Sequence, residues 1–171
     1  IKKAKAKNEI NISKLAEKNA KQALKQKLIQ SDTNNNLIDA LTKKFKLKNN
    51  LELIEVYDNS HIQSSDAIGA LICFGNEGFV KKRYRKFNIK NEEIKGDDYG
   101  MMKEVLFRRF SKAVKEKAGS LSLPDLILID GGKGQYSVSR EVLNELGLHD
   151  LPILAVAKGK KRNAGEEKIY H

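Results

Sequence analysis

The most informative stretch of this chain is Leu123-Pro124-Asp125-Leu126-Ile127-Leu128-Ile129-Asp130-Gly131-Gly132-Lys133-Gly134-Gln135. Its run of Leu and Ile predicts a strand covered on both faces, as in the middle of a parallel sheet. Such a strand ends at the carboxyl edge of the sheet, where open α/β folds bind their ligands. An acid at that edge, beside backbone that carries no side chains, indicates metal or phosphate chemistry. Asp130 is therefore the first candidate functional residue.

Charge and composition set the class of partner. The chain has 171 residues and a net charge of +11, from 33 Lys and Arg against 22 Asp and Glu. A surplus of this size favours a polyanionic partner over a neutral metabolite. Residues 1–52 hold 13 lysines and 5 acids, so the strongest basic field is expected there, while the remainder keeps enough acids to build a site.

Cysteine usage and hydropathy indicate the cellular setting. Cys73 is the only cysteine, so no internal disulfide can form, which fits the reducing cytoplasm. No apolar stretch approaches the roughly 20 residues of a membrane span, and no signal peptide is visible. The absence of such a stretch leads us to expect no membrane partner. Because the chain begins at Ile1 with a polar start, we also expect it to be a fragment of a longer protein.

Two helices are predicted in a basic helical linker segment, residues 1–50. Apolar residues recur at helical spacing from Ser13, a suitable N-cap, to about Leu28. The polar run 31–36 predicts a break, and a second short amphipathic helix is expected at 37–45. Neither helix can bury much surface alone, so both are expected to pack on the following domain or on upstream chain.

A compact domain is expected at residues 51–171, truncated at its C-terminus. Periodicity predicts seven elements in the order β-β-β-α-β-α-β, at 53–57, 67–74, 79–87, 98–117, the strand to 130, 134–146 and 152–156. Short connections imply that the first three strands are antiparallel. This α/β order, a mixed sheet flanked by helices, resembles the ribonuclease H-like architecture, in which the first strand lies beside the fourth.

Two carboxylates are then predicted to meet at one edge of this sheet. Period-two alternation places Asp58 on the face of Val56, and Asp130 on the face of Leu128. If the two strands are parallel neighbours about 4.8 Å apart, the two carboxylates lie close together. They then repel each other unless a cation compensates. Hard oxygen ligands select Mg²⁺ or Mn²⁺. Paired metals about 4 Å apart can activate water and stabilise the leaving oxygen, so phosphodiester hydrolysis is the inferred chemistry.

Five motifs resemble, in order, those of the C subunit of the UvrABC excinuclease: Tyr57-Asp58-Asn59-Ser60-His61, Tyr84-Arg85-Lys86-Phe87-Asn88-Ile89, Gly96-Asp97-Asp98-Tyr99, Ile129-Asp130-Gly131-Gly132-Lys133-Gly134-Gln135, and Ala157-Lys158-Gly159 through Arg162, Gly165 and Glu167. They cover essentially everything from residue 53 onward. The resemblance implies a ribonuclease H-like endonuclease that makes the 5′ incision beside a lesion in nucleotide excision repair. The implied partners are damaged double-stranded DNA and the damage-loading B subunit.

The resemblance also implies residue roles. It makes Asp58 and Asp130 the metal-binding catalytic aspartates and matches Asp98 to another acid implicated in activity. It further implies a histidine well downstream of the Gly-Glu-Glu stretch, whereas the chain stops at His171, so we expect this fragment to cleave nothing. Ser64 stands where the family usually has glycine, so the loop after Asp58 is expected to differ if that position needs a positive φ.

Several candidates keep an ordinary structural explanation. Asp97 and Asp98 precede a helix, so capping accounts for at least one of them. His61 is as suited to a hydrogen bond within its own loop as to a phosphate contact. Lys133 either contacts DNA beside the glycine loop or lies in solvent at a helix start. The loop lacks the spacing of a nucleotide-binding P-loop.

Two basic stretches are candidates for DNA binding. Residues 81–86, with Arg85 as the candidate, form a predicted strand with charge on both faces, which suits a protected edge strand as well as a strand that follows a phosphate backbone. The better candidates leave the last strand at the edge of Asp130; they are Lys158, Lys160, Lys161 and Arg162. The N-terminal lysines are equally well explained as a solvated helix face.

Two classes of function remain. The first is a metal-dependent DNA endonuclease, and the second is a noncatalytic nucleic-acid-binding or scaffolding module on the same fold. A pure binding surface has no reason to place carboxylates beside phosphates, so the acids favour the enzyme. A phosphate- or nucleotide-binding enzyme that uses the glycine loop is a distant third.

Overall fold

A mixed sheet forms the centre of the chain, which the computed structural model describes at residues 7–47, 50–62, 66–115, 122–159 and 166–171. Its strands are β1 (Leu53–Ile62), β2 (Asp66–Gly75), β3 (Gly78–Phe79), β4 (Arg85–Asn88), β5 (Leu126–Asp130), β6 (Ile153–Ala157) and β7 (Lys168–Tyr170). The helices are α1 (Lys7–Phe45), α2 (Asp98–Lys115) and α3 (Lys133–Glu145), with short 3-10 turns at Lys81–Arg83 and Glu92–Ile94.

The order of the described strands is β3-β2-β1-β5-β6-β7, with β4 also paired to β2. β1 runs antiparallel to β2 and parallel to β5, and β5 runs parallel to β6. The predicted architecture is therefore confirmed, since antiparallel strands precede alternating helices and strands, and the first strand lies beside the one that ends at Asp130. The short strand β7, which periodicity did not predict, pairs antiparallel with β6.

The two faces of the sheet bury separate apolar clusters. On one face, Ile54 and Leu126 pack with Ile38 of α1. On the other face, α2 and α3 cover a cluster that includes Tyr57 and Ile129. Alternation therefore separates the side chains of β1 and β5 as predicted, with α1 on one side of the sheet and α2 and α3 on the other.

The N-terminal segment forms one helix of 39 residues, so the prediction of two helices with a break at 31–36 is wrong. None of those six residues is Gly or Pro, and each costs only about 0.5 kcal/mol relative to Ala inside a helix. The Thr33 hydroxyl adapts by donating a hydrogen bond to the Ile29 carbonyl at 2.9 Å. Packing of the last turns then carries the helix through the polar run. Neither α1 nor any other helix of the described residues is long and apolar enough to cross a membrane.

The predicted third strand is interrupted, contrary to expectation. β3 and β4 both pair with β2, but the 3-10 turn Lys81–Arg83 separates them. Between Val80 and Phe87 the stretch offers no alternating apolar residues, so neither face of a continuous strand would pack on the sheet. Pairing resumes where Phe87 can reach the cluster beneath α2.

A buried ion pair joins α2 to β1. Arg109 Nη2 lies 2.6 Å from Glu55 Oε1, and the two side chains are only 4% and 3% exposed. The Tyr57 hydroxyl donates to Glu55 Oε2 at 2.6 Å, and Arg109 Nη2 also donates to the Ser122 carbonyl at 3.0 Å. Burial, and then the nearby Glu55, raise the pKa of Tyr57 well above its usual range, so the hydroxyl stays protonated as a donor.

We expect Arg109→Leu to lower the free energy of unfolding by about 3–5 kcal/mol, because Glu55 would remain buried without its counter-charge. The matched control is Lys103→Ala, which removes an exposed pair with Glu141 and should leave the urea midpoint nearly unchanged. Urea unfolding of both variants measures the difference. Equal losses of stability would contradict a special role for the buried pair.

Candidate active site

The pairing of β1 with β5 brings Asp58 and Asp130 to the same row of the sheet. Its register matches Val56 with Leu128 and Tyr57 with Ile129, so Asp58 and Asp130 are the next two neighbours. Both acids are exposed, and alternation places both on the face of Val56 and Leu128. Two carboxylates therefore stand side by side on one accessible part of the sheet.

The ends of the two strands differ. β5 stops at Asp130, but β1 continues beside β2 to Ile62, so Asp58 lies within a strand and not at its end as predicted. After Asp130 the chain turns into α3, where a Cβ on Gly131 would lie only 2.8 Å from the side chain of Gln135. Gln135 Oε1 accepts a hydrogen bond from the Gly132 backbone at 3.0 Å, which closes the turn. The glycines thus allow a tight turn beside Asp130.

Like charges act on one another at this edge. Partial desolvation and then the charge of Asp130 raise the pKa of Asp58, and Asp98 adds to the effect. Lys158 opposes it, since its Nζ lies 3.1 Å from Asp130 Oδ2 and its charge lowers the pKa of Asp58. Three acids of the described residues thus share this edge with Lys158 as a counter-charge.

The structure distinguishes the positions of Asp97 and Asp98. Asp97 Oδ1 accepts a hydrogen bond from the Tyr99 backbone at 3.0 Å, which is an N-cap contact for α2. Asp98 is the first residue of α2, and its carbonyl accepts from Asn59 Nδ2 at 3.3 Å. This bond ties the start of α2 to the residue that follows Asp58. Sequence reasoning missed Asn59, although it stands within the first motif.

The other predicted site residues do not gather around the acids to the same degree. Lys133 is exposed at the start of α3, directly after the glycine pair. Arg85 lies on β4, where its Nη1 donates to two backbone carbonyls of its own segment at 3.0 and 2.8 Å. His61 belongs to β1, but its side chain is outside the description. Four further residues lie outside the described ranges: Ser64, Lys160, Lys161 and Arg162.

The donor set at this edge fits a divalent cation. Carboxylate oxygens such as those of Asp58 and Asp130 are the ligands that Mg²⁺ and Mn²⁺ prefer. Among the described residues no three His, Cys, Asp or Glu side chains are grouped to hold a metal by themselves. Mg²⁺ is commonly held by one or two carboxylates together with substrate phosphates and water, so two acids suffice. A cation would also offset the burial and the charge of Asp130 that raise the pKa of Asp58.

The sequence matches the UvrC RNase H endonuclease domain family over residues 42–171. UvrABC system protein C of Hyphomonas neptunium is 52% identical over 160 residues, which cover 91% of this chain and 26% of the relative. The protein of the same name from Cereibacter sphaeroides is 48% identical over 158 residues, covering 91% and 25%. The chain thus spans about a quarter of the length of these relatives. A solved structure of the catalytic domain of human endonuclease V has a TM-score of 0.44 and 22% identity, covering 63% of this chain and 45% of that one.

Asp97→Ala is expected to lower the free energy of unfolding by about 1 kcal/mol, because α2 loses the cap that the Asp97 carboxylate provides. Asp97→Ser keeps a side-chain acceptor and should recover most of that loss. Urea unfolding of the two variants measures the difference. If the serine variant is as unstable as the alanine variant, capping does not explain this residue.

Proposed function

Because the chain belongs to the UvrC RNase H endonuclease domain family, we propose that it is the domain with which the whole protein hydrolyses phosphodiester bonds of DNA, with a divalent metal ion. The observation that carries the proposal is the placement of Asp58 and Asp130 in one row of β1 and β5. A surface that only binds DNA gains nothing from carboxylates, since they repel phosphates. A surface that holds a metal requires them.

The substrate and partner follow from the family. We propose damaged double-stranded DNA as the substrate, with the cut on the 5′ side of the lesion, and a damage-loading B subunit as the partner. The relatives are components of a UvrABC system by name, and the net charge of +11 suits a polyanion. We further propose that residues 1–50 form a basic helical linker to the nuclease domain at 51–171.

Each residue at the edge has a distinct proposed role. Asp58 and Asp130 would hold Mg²⁺ or Mn²⁺ through their carboxylate oxygens, with the charge of Asp98 close by at the start of α2. A divalent ion bound there would supply Lewis acidity, which can activate water and stabilise charge on the phosphate and the leaving oxygen. The two carboxylates would hold that ion beside the glycine turn.

Lys158 can contact a phosphate of the substrate while it is bound to Asp130. Its ammonium has three N–H donors, of which one reaches Asp130. The side chain is 67% exposed, so the remaining donors can point to a phosphate oxygen beside the metal ligands. Lys133, exposed at the N-terminus of α3, would add a second positive charge where the helix dipole already favours an anion.

Asp58→Asn and Asp130→Asn are expected to abolish Mn²⁺-dependent nicking by the whole protein. Loss of a residue that merely supports a metal ligand already costs about 10–100-fold, so loss of a ligand should lower the rate by more than about 100-fold. Nicking of supercoiled plasmid gives the rate, and calorimetric titration of this chain with Mn²⁺ gives the affinity, which should fall in both variants.

The matched control is Asp150→Asn, which removes an exposed acid just before β6, at the opposite end of that strand from the site. It should nick and bind Mn²⁺ like the parent protein. Urea unfolding establishes that all three variants remain folded. If Asp130→Asn nicks DNA as fast as the parent, the domain is a noncatalytic binding module and the metal site is wrong.

A further inference from the structure

Lys86 lies in the same row of the sheet as the two aspartates. β4 pairs with β2 so that Lys86 is opposite Ala70, and β2 pairs with β1 so that Ala70 is opposite Asp58. Residues directly opposite each other in a sheet have their side chains on the same face. Lys86 therefore shares its face with Asp58 and Asp130. With strands about 4.8 Å apart, its Cα lies roughly 10 Å from that of Asp58.

The row of the sheet between Lys86 and Asp58 carries only one small side chain, so little stands above the strands there. Only the methyl group of Ala70 stands between Lys86 and Asp58 in this row. α1 packs on the same face, and the described apolar cluster beneath it extends to Val56 and Leu128, two residues before Asp58 and Asp130. Lys86 itself is exposed. An extended chain that crosses Asp58 at right angles to the strands would meet Lys86 next.

Arg85, the candidate from the sequence, is placed differently. It is opposite Leu71, whose side chain is buried in the cluster beneath α2, so Arg85 belongs to the other face of the sheet. Its Nη1 is also occupied by the carbonyls of Lys82 and Tyr84. Neighbouring basic residues in one strand therefore present their charges to opposite sides, and only Lys86 faces the side of Asp58.

The strand that carries Lys86 has a fixed position. Phe87 packs against the cluster beneath α2, and Arg108 of α2 donates from Nη1 to the Asn88 carbonyl at 2.7 Å. α2 is the helix that begins at Asp98, close enough to Asp58 to affect its pKa. Lys86 is thus attached to the framework that positions the acids.

We propose that Lys86 binds a backbone phosphate next to the phosphate that is cleaved at Asp58 and Asp130. This inference rests on the proposed nuclease function. The phosphates of one DNA strand follow each other at regular intervals, so a strand held over the acids offers its neighbouring charge to the β4 edge. A lysine ammonium on a flexible stem suits such a phosphate as a point charge. Lys86 is a positioning residue, since it orients the strand and takes no part in breaking the bond.

The test compares Lys86→Gln with Arg85→Gln, a neighbour of like charge on the opposite face. Anisotropy titrations of a short labelled duplex with the whole protein are made at several salt concentrations. Lys86→Gln should weaken binding about threefold to tenfold and reduce the slope of log K against log salt by about one, because one phosphate contact is lost. Arg85→Gln should change neither quantity. Equal effects in both variants, or none in Lys86→Gln, would overturn the proposal.

A second measurement locates the phosphate. Duplexes that carry one neutral methylphosphonate at successive positions around the incision site are titrated with the parent protein and with Lys86→Gln. When the methylphosphonate replaces the contacted phosphate, the parent protein should bind more weakly than it binds the unmodified duplex. Lys86→Gln should bind the modified and the unmodified duplex equally well. That position should lie beside the incised bond, on the same strand. If Lys86→Gln binds more weakly than the parent by the same factor wherever the methylphosphonate stands, then Lys86 adds only general positive charge. The proposed subsite would then be wrong.

Nicking by Asp130→Asn separates this inference from the function on which it rests. If Asp130→Asn stops nicking and Lys86→Gln binds like the parent, the nuclease function stands and the subsite fails. If Asp130→Asn nicks normally, the nuclease function fails, whatever Lys86→Gln does. Loss of nicking in Asp130→Asn together with a position-specific effect of Lys86→Gln supports both.

Discussion

The hydrogen-bonded pairing of β1 with β5 is the contact on which the rest of this structure depends. These strands are 72 positions apart in the chain, and their register puts Asp58 beside Asp130. A slip of one residue would turn one of the acids to the opposite face and expose the apolar side chains that pack beneath α1 or α2. Burial of those side chains therefore specifies the register, and the register in turn assembles the site. The stability of the core and the geometry of the acids are consequences of the same alignment.

β1 carries two carboxylates, Glu55 and Asp58, whose surroundings differ. Glu55 lies on the face that α2 covers, where Arg109 neutralises it and Tyr57 donates to it, so it joins α2 to the sheet. Asp58 lies on the face that α1 covers, but beyond the end of the apolar cluster, where partial burial and then the charge of Asp130 raise its pKa and a cation would be favourable. Because α2 is held at Glu55 through Arg109 and near Asp58 through Asn59, the buried network also helps to fix where that helix begins.

Predictions from the sequence were correct where a feature depends on residues close together in the chain. They were less reliable where contacts between distant segments determine the structure. The alternation in β1 and β5 assigned Asp58 and Asp130 to the correct faces, because side chains alternate in any strand. The break expected in α1 did not occur, because weak helix formers continue a helix when its last turns pack on a sheet. DNA binding by Arg85 stays a prediction, but the pairing of β4 with β2 places Arg85 on the face opposite to the acids and Lys86 on the same face as the acids.

Local patterns were sufficient to predict β1, β2, β5, β6, α2 and α3 in their order and the glycine turn after Asp130, because these depend on residues close together in the chain. The motif series was sufficient to specify the family. Contacts between distant segments settled the remainder: Asp98 lies near Asp58, Lys158 pairs with Asp130, and the charge of Arg109 is buried against Glu55. Such contacts carry no signature in the sequence, because the free energy of a charge depends on the groups and the water that surround it after folding.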